Sequence, residues 1–244
     1  MPQLKFDEVG ERFYETGTRK GVLYKYNTTS KLYDTGYAWN GLTSVSENPS
    51  GAEASKLYAD DIHYLTMTSA EEYGLTIEAF SSPEEFDECD GTAEIAAGVF
   101  MGQQERKMFG FSWQTRLGND TSGNDYGYKI HLAYGCKASP SQKQYQTIND
   151  SPEAMTLSWE VTTTPVDVAN YKPTAVITID STKIDSAKLT QLNNILYGTD
   201  GSEGSEGTVA RLPLPDEIIR IMTGNNNSVV TPVTDPDPLD PDGE

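Results

Sequence analysis

The sequence predicts a mainly β chain with a few helices, an antiparallel sandwich or barrel-like sheet pair with a packed α-helix. Three observations carry this expectation. Apolar residues alternate with period two in about eight separate segments, which places every second side chain on one face of a sheet. Only a few stretches show helical start and stop signals. Runs of Gly, Pro, Asn, Asp and Ser punctuate the spaces between the periodic segments.

The strands can be justified in turn. "VLYKYN", "WNGLTSVS" and "LYADDIHYLTMT" read as the first three. "YGLTIEAF" sets Tyr73, Leu75, Ile77 and Ala79 on one face, with Thr76 and Glu78 on the other. "MFGFSWQT" aligns Phe109, Phe111 and Trp113, and "YGYKIHLAYGC" aligns Tyr126, Tyr128, Ile130, Leu132, Tyr134 and Cys136. "MTLSWEVTT" aligns Met155, Leu157, Trp159 and Val161, and "TAVITID" aligns Ala175, Ile177 and Ile179.

Among these lie the helices. After "YGLTIEAF", Ser82 suits an N-cap, Pro83 the first helical position and Glu85 the residue that completes a Ser-x-x-Glu capping box, with Gly91 as a left-handed stop. So short a helix owes its persistence to packing Phe86 and Cys89 on the sheet. A second helix, "IDSAKLTQLNNILYG", takes Asp185 or Ser186 as N-cap and carries an apolar stripe of Leu189, Leu192, Ile195 and Leu196 that covers one side of the sheet. In "RLPLPDEIIRIM", Pro215 opens a short helix bearing Ile218, Ile219 and Met222.

Composition narrows the function classes. Eighteen Lys and Arg stand against 37 Asp and Glu in 244 residues, a formal charge of −19. Nucleic-acid affinity rests on basic residues displacing phosphate counterions, so this balance argues against a nucleic-acid binder. The opening "MPQLKFDEVG" lacks a basic segment followed by an apolar run, and no stretch approaches the ~18 apolar residues that span a bilayer. A soluble protein made in the cytoplasm is expected. Cys89 and Cys136 read as reduced core thiols, too few for a disulfide framework.

Enzymatic motifs are missing. His63 and His131 are the only histidines, outside any HExxH or paired spacing, and read as exposed or locally hydrogen-bonded structural residues. There is no G-x-S-x-G elbow, P-loop or G-x-G-x-x-G. The adjacent pairs Asp60–Asp61, Glu71–Glu72 and Glu84–Glu85 would point to opposite faces of a strand and so cannot flank one glycosidic bond. No catalytic residue, cofactor or metal site is expected. The rival from another class is a carbohydrate-binding β-sandwich module, with Trp39 as its sugar platform because Trp113 and Trp159 fall in phase with core residues.

The series "GLTSVSENPSGAEASKLYADDIHYLTMTSAEEYGLTIEAFSSPEEFDEC" resembles the major tail tube proteins of long-tailed, non-contractile bacteriophages. The likeness lies in Gly41 to Thr43, then Tyr58 to Asp61, then a strand–helix motif of Thr76, Ile77, Glu78, Ala79, Pro83, Glu85 and Phe86; Arg211 to Ile218 matches the closing motif. It covers most of residues 2 to 222. The resemblance implies a structural virion protein, non-enzymatic, whose fold is completed by ring oligomerisation: hexameric rings stack into a tube through which DNA passes without specific binding. It implies as partners further copies of itself and the tail tape measure, tail terminator and distal tail proteins, with assembly in the host cytoplasm and no membrane anchor.

On that basis residues 1–222 form the tail tube domain and 223–244 an acidic, Pro-rich tail, with an acidic linker near 199–208. The polar link Glu47, Asn48, Pro49, Ser50, Gly51, Ala52, Glu53, Ala54, Ser55 and Lys56 is expected to be a ring-to-ring arm, since it has no core pattern and joins strands. Deleting Pro49 to Ser55 should then leave folded subunits that form no tubes. Acidic and small polar side chains, Glu78 among them, are expected to line the lumen.

Overall fold

In a computed structural model, residues 3–148, 150, 154–201 and 206–224 are described. Fourteen strands occur in chain order: β1 (Phe13–Asn27), β2 (Leu32–Trp39), β3 (Leu42–Glu47), β4 (Ser50–Gly51), β5 (Ala54–Ala59), β6 (Ile62–Thr68), β7 (Glu71–Glu72), β8 (Gly74–Ala79), β9 (Ala93–Ala96), β10 (Val99–Met101), β11 (Phe109–Asn119), β12 (Gly123–Ala138), β13 (Leu157–Thr163) and β14 (Val176–Asp180). Helices α1 (Asp87–Asp90), α2 (Ser186–Tyr197) and α3 (Pro215–Thr223) are the α elements, and a 3-10 turn at Glu84–Phe86 leads into α1. The class is mainly β, built on one large antiparallel sheet as the alternating pattern predicts.

That sheet runs β2-β1-β11-β12-β13-β8-β3, and β14 joins it at β12. The branch follows from the length of β12. One part of it, Lys129 to Ala133, pairs β14, while a second part, Cys136 to Ala138, pairs Thr163 to Val161 of β13. Between the two parts sits Gly135 at φ +57°, a left-handed conformation that glycine adopts without steric cost. A Cβ there would lie 2.1 Å from the Thr164 carbonyl oxygen. Gly135→Ala is therefore expected to cost about 2 kcal/mol or more in a urea melt; a loss below about 0.5 kcal/mol would mean that the branch adapts freely.

The kink at Gly135 also flips the side-chain phase. Ile130, Leu132 and Tyr134 face one core, whereas Ala133 and Cys136 face the other. Cys136 is thus not in phase with Tyr134, contrary to the unbroken alternation read from "YGYKIHLAYGC". Tyr126 and Met155, at the margins of their segments, are exposed.

Two cores result. The curled sheet encloses Leu23, Trp39, Leu75, Ile77, Phe109, Phe111, Trp113, Trp159 and Val161, and Phe86 and Cys89 close it from the short helix. Phe86 meets Trp39, Phe109 and Trp159 with ring centroids 4.6, 5.4 and 5.4 Å apart. The capping box does not form: Pro83 is itself the N-cap of the 3-10 turn, without a side-chain hydrogen bond. Aromatic packing rather than capping holds this helix, and Gly91 ends it in the left-handed conformation.

The second core lies on the opposite face of β1, β2, β11, β12 and β14, under Leu192 and Leu196 of α2 and Ile218 of α3. Asp185 caps α2, accepting from the backbone N–H groups of Ala187 and Lys188, and Pro215 starts α3. Both cysteines are free and buried, and burial pushes the Cys89 thiol up to about 12. No helix among the described residues is long and apolar enough to cross a membrane. The acidic tail, but for 223 and 224 at the end of α3, lies outside the described residues. So do 202–205 of the acidic linker, whose ends are joined by backbone bonds between Thr199 and Thr208.

Candidate functional site

The feature that the core does not explain is the excursion between β3 and β8. These strands are antiparallel neighbours, Ser46 opposite Thr76 and Glu47 opposite Leu75, and a turn of two residues could join them. Instead the chain leaves the sheet at Asn48, whose N–H donates to the Gly74 carbonyl at 2.8 Å, and returns 25 residues later at Tyr73. Two tiers of pairing stiffen the excursion: β4 with β7, then β5 with β6. Every residue from Ser46 to Glu72 is exposed. Fully extended, the eleven residues from Pro49 to Ala59 reach roughly 35 Å.

The arm is thus larger than the link of 47–56 expected from sequence. Ala54, Ser55 and Lys56 belong to β5, and Ser50–Gly51 is β4. "LYADDIHYLTMT" is not one strand but a hairpin, turned at Asp60 and Asp61 with φ of +51° and +64°. Asp tolerates this left-handed conformation better than most residues, and two in succession make the tight turn that matches strand twist. "WNGLTSVS" likewise breaks at Asn40–Gly41, between β2 and β3.

One face of the β5–β6 hairpin is apolar. Leu57 stands opposite Leu65 and Ser55 opposite Met67, with Leu57, Leu65 and Met67 exposed by 44, 37 and 58%. A two-stranded hairpin alone in water is marginally stable, so this face gains by being covered. The β9–β10 hairpin is a second exposed apolar projection, with Ile95, Val99, Phe100 and Met101 open to solvent. Its signal, "AEIAAGVFM", is an apolar run broken by a turn at Gly98.

The large sheet also has borders without partners. The outer edge of β2 is covered by the returning chain, where Gly36 donates to Ala210 O at 2.7 Å and Leu212 to Tyr33 O at 3.2 Å. The remaining edges of β3, of β14 and of the first half of β1 pair with nothing among the described residues.

Glu78 lies on the polar face of β3, β8 and β13. There Ser44 donates to its carboxylate at 2.7 Å, and Ser46, Thr76, Ser158, Glu160 and Thr162 share the face by register. Lys137, opposite Thr162, stands at the margin. Thr76, Ile77 and Ala79 of the strand–helix motif split between the two faces, Ile77 and Ala79 inward. Pro83, Glu85 and Phe86 form the turn that closes the core, where only Phe86 is buried.

Glu47 is not simply an arm residue: its register puts it on the inner face, where His131 lies. The His131 ring stacks on Trp113 with centroids 4.9 Å apart. Its two nitrogens lie 3.0 Å from Thr115 Oγ1 and 3.3 Å from Thr178 Oγ1, so it is buried and locally hydrogen-bonded. His63 is on the arm, near Thr66 and Tyr58.

Trp39 is no sugar platform. It is 3% exposed, packed between Phe86, Phe111 and Trp159, and its indole N–H donates to Ser81 O at 2.9 Å. Among the described residues no three His, Cys, Asp or Glu side chains converge as a metal site requires. A shallow hollow beside α1 gathers Glu84, Asp87, Glu88, Glu94 and Glu105 around Lys107, but Lys107 and Lys25 already face Glu88 there. Comparison with protein-family models and with curated proteins returns no match for this chain.

Proposed function

We propose that the chain is a structural protein that assembles with copies of itself, six to a ring, the rings stacking into the tail tube of a long-tailed, non-contractile bacteriophage. The observation that carries this reading is the stiffened arm of residues 48–73, exposed at every position but Tyr73, on a fold whose sheet keeps unpaired borders among the described residues. A lone soluble domain covers, shortens or charges such borders because they template association. Closed rings of identical subunits satisfy all of them at once.

In this reading the arm reaches a neighbouring ring and the free edges of β1, β3 and β14 pair around the ring. The polar face of β3, β8 and β13 turns towards the bore, with Glu78 and Glu160 in it. A chain of net charge −19, repeated six times per ring, lets DNA slide rather than adhere. The virion tail is then the protein's location, with the tape measure, terminator and distal tail proteins as its other partners.

Negative-stain electron microscopy of the purified chain at high concentration tests the proposal. Hollow tubes or stacked rings of uniform diameter are expected; a species that stays monomeric at all concentrations and salts overturns it.

A further inference from the structure

We infer that His131 is a pH-operated latch at the foot of the arm, drawing Glu47 of β3 and Glu15 of β1 onto one ring when it is protonated. The inference rests on reading residues 48–73 as an assembly arm and adds a control to it.

The geometry brings together groups from five strands, β1, β3, β11, β12 and β14. Glu15 Oε1 is 3.5 Å from His131 Nε2, and Glu47 Oε1 is 3.9 Å from Nδ1, one carboxylate on each nitrogen. Neither is a full hydrogen bond, because the neutral ring is held by the hydroxyls of Thr115 and Thr178. Glu15 is itself anchored, by Lys129 Nζ at 2.5 Å and by the Thr115 hydroxyl. Glu47 has no such anchor from a lysine: its other neighbour is Tyr73, whose buried hydroxyl stands beside its carboxylate.

Glu47 and Tyr73 flank the two feet of the arm, so the position of Glu47 sets how tightly the arm is clamped to the sheet. The charged groups facing His131 are therefore Glu15 from β1, Glu47 from β3 and Lys129 from its own strand; β11 and β14 offer only hydroxyls and the Trp113 ring.

Protonation makes both ring nitrogens donors and adds a charge. The loose contact to Glu47 then closes into a charge-assisted hydrogen bond. Burial holds His131 below its ordinary value of 6.5, with Glu15 and Glu47 opposing that shift and Lys129 adding to it. The neutral ring thus stabilises the fold fully above pH 6.5, and that contribution declines as pH falls below it. The latch consequently has a signature of two opposite signs: acid loosens the fold as a whole while tightening the foot of the arm.

Amide hydrogen exchange on the full chain, with the intrinsic pH dependence divided out, reads the foot directly. As pH falls from 7.5 through the titration of His131, the Asn48 amide is expected to slow about two- to fivefold, the range a part-exposed ion pair supplies. The ring-proton titration of His131, isolated in a His63→Gln background, should share its midpoint. Glu47→Gln keeps the ring and its Trp113 stack, and should abolish the slowing while leaving the titration in place; His131→Gln should abolish both.

Unchanged exchange at Asn48 while His131 titrates, or equal slowing in Glu47→Gln, overturns the latch. The tube reading is judged separately by microscopy. Slowing without tubes at any pH supports the clamp and refutes the assembly, and tubes without slowing do the reverse.

Discussion

Replacing residues 49–72 by an Asn-Gly turn is expected to yield a folded, soluble chain that forms no tubes at any concentration. The substitution is sterically natural, because Glu47 and Leu75 are already opposite each other and Asn48 already bonds Gly74. With Asn48 opposite Gly74, the Asn-Gly pair and Tyr73 make a three-residue loop, among the commonest hairpin connections. Every excised residue is exposed, so the melting temperature should stay within a few degrees of the parent's by circular dichroism, the scale of surface changes. Tubes of normal length from this variant would remove the arm from assembly. The shorter excision of Pro49 to Ser55 is a poorer test: it deletes β4 and the start of β5 but leaves β6 with apolar Leu65 and Met67 and less to pair with.

Trp39→Ala is expected to destabilise the fold by about 3–5 kcal/mol, the range for truncating a large buried aromatic. Trp39 is the node at which β2, the helical turn, β11 and β13 meet, through Phe86, Phe111 and Trp159. Its loss also frees the Ser81 carbonyl, which ties the end of β8 to this core. Urea unfolding measures the loss, and Trp39→Phe should recover part of it by refilling volume without the N–H donor. A Trp39→Ala chain of full stability that lost binding to a glycan column would put the side chain back on the surface and revive the sugar-binding reading.

Legibility from sequence tracked how cleanly a segment keeps one period. Leu75, Ile77 and Ala79, or Phe109, Phe111 and Trp113, are buried on one side as their alternation predicts. The misread places are those where a single backbone residue changes the rule. Gly135 reverses the phase of β12, so Cys136 and Tyr134 part company although the letters alternate without a break. Asp60 and Asp61 turn a hairpin without glycine, in a segment that otherwise reads as one long strand, whereas Asn40–Gly41 is a turn signal that the period of "WNGLTSVS" masked. Trp39 has no apolar partner in its own segment because its partners lie 47 to 120 positions away in sequence, and local pattern carries no such information. The arm was visible only as its polar first third, since β5 and β6 have strand composition and no core to betray their position.

The two feet of the arm stand side by side in adjacent strands that pair with each other, and the second is held in the sheet by β13 as well. Everything beyond them is therefore an insertion that the globule does not need in order to hold its shape. A peptide bond cut at the tip would leave two fragments still locked together, and new chain ends could be opened there with the old ones left elsewhere. The protein can thus vary what it reaches for, in length and in composition, while the body that does the reaching stays the same.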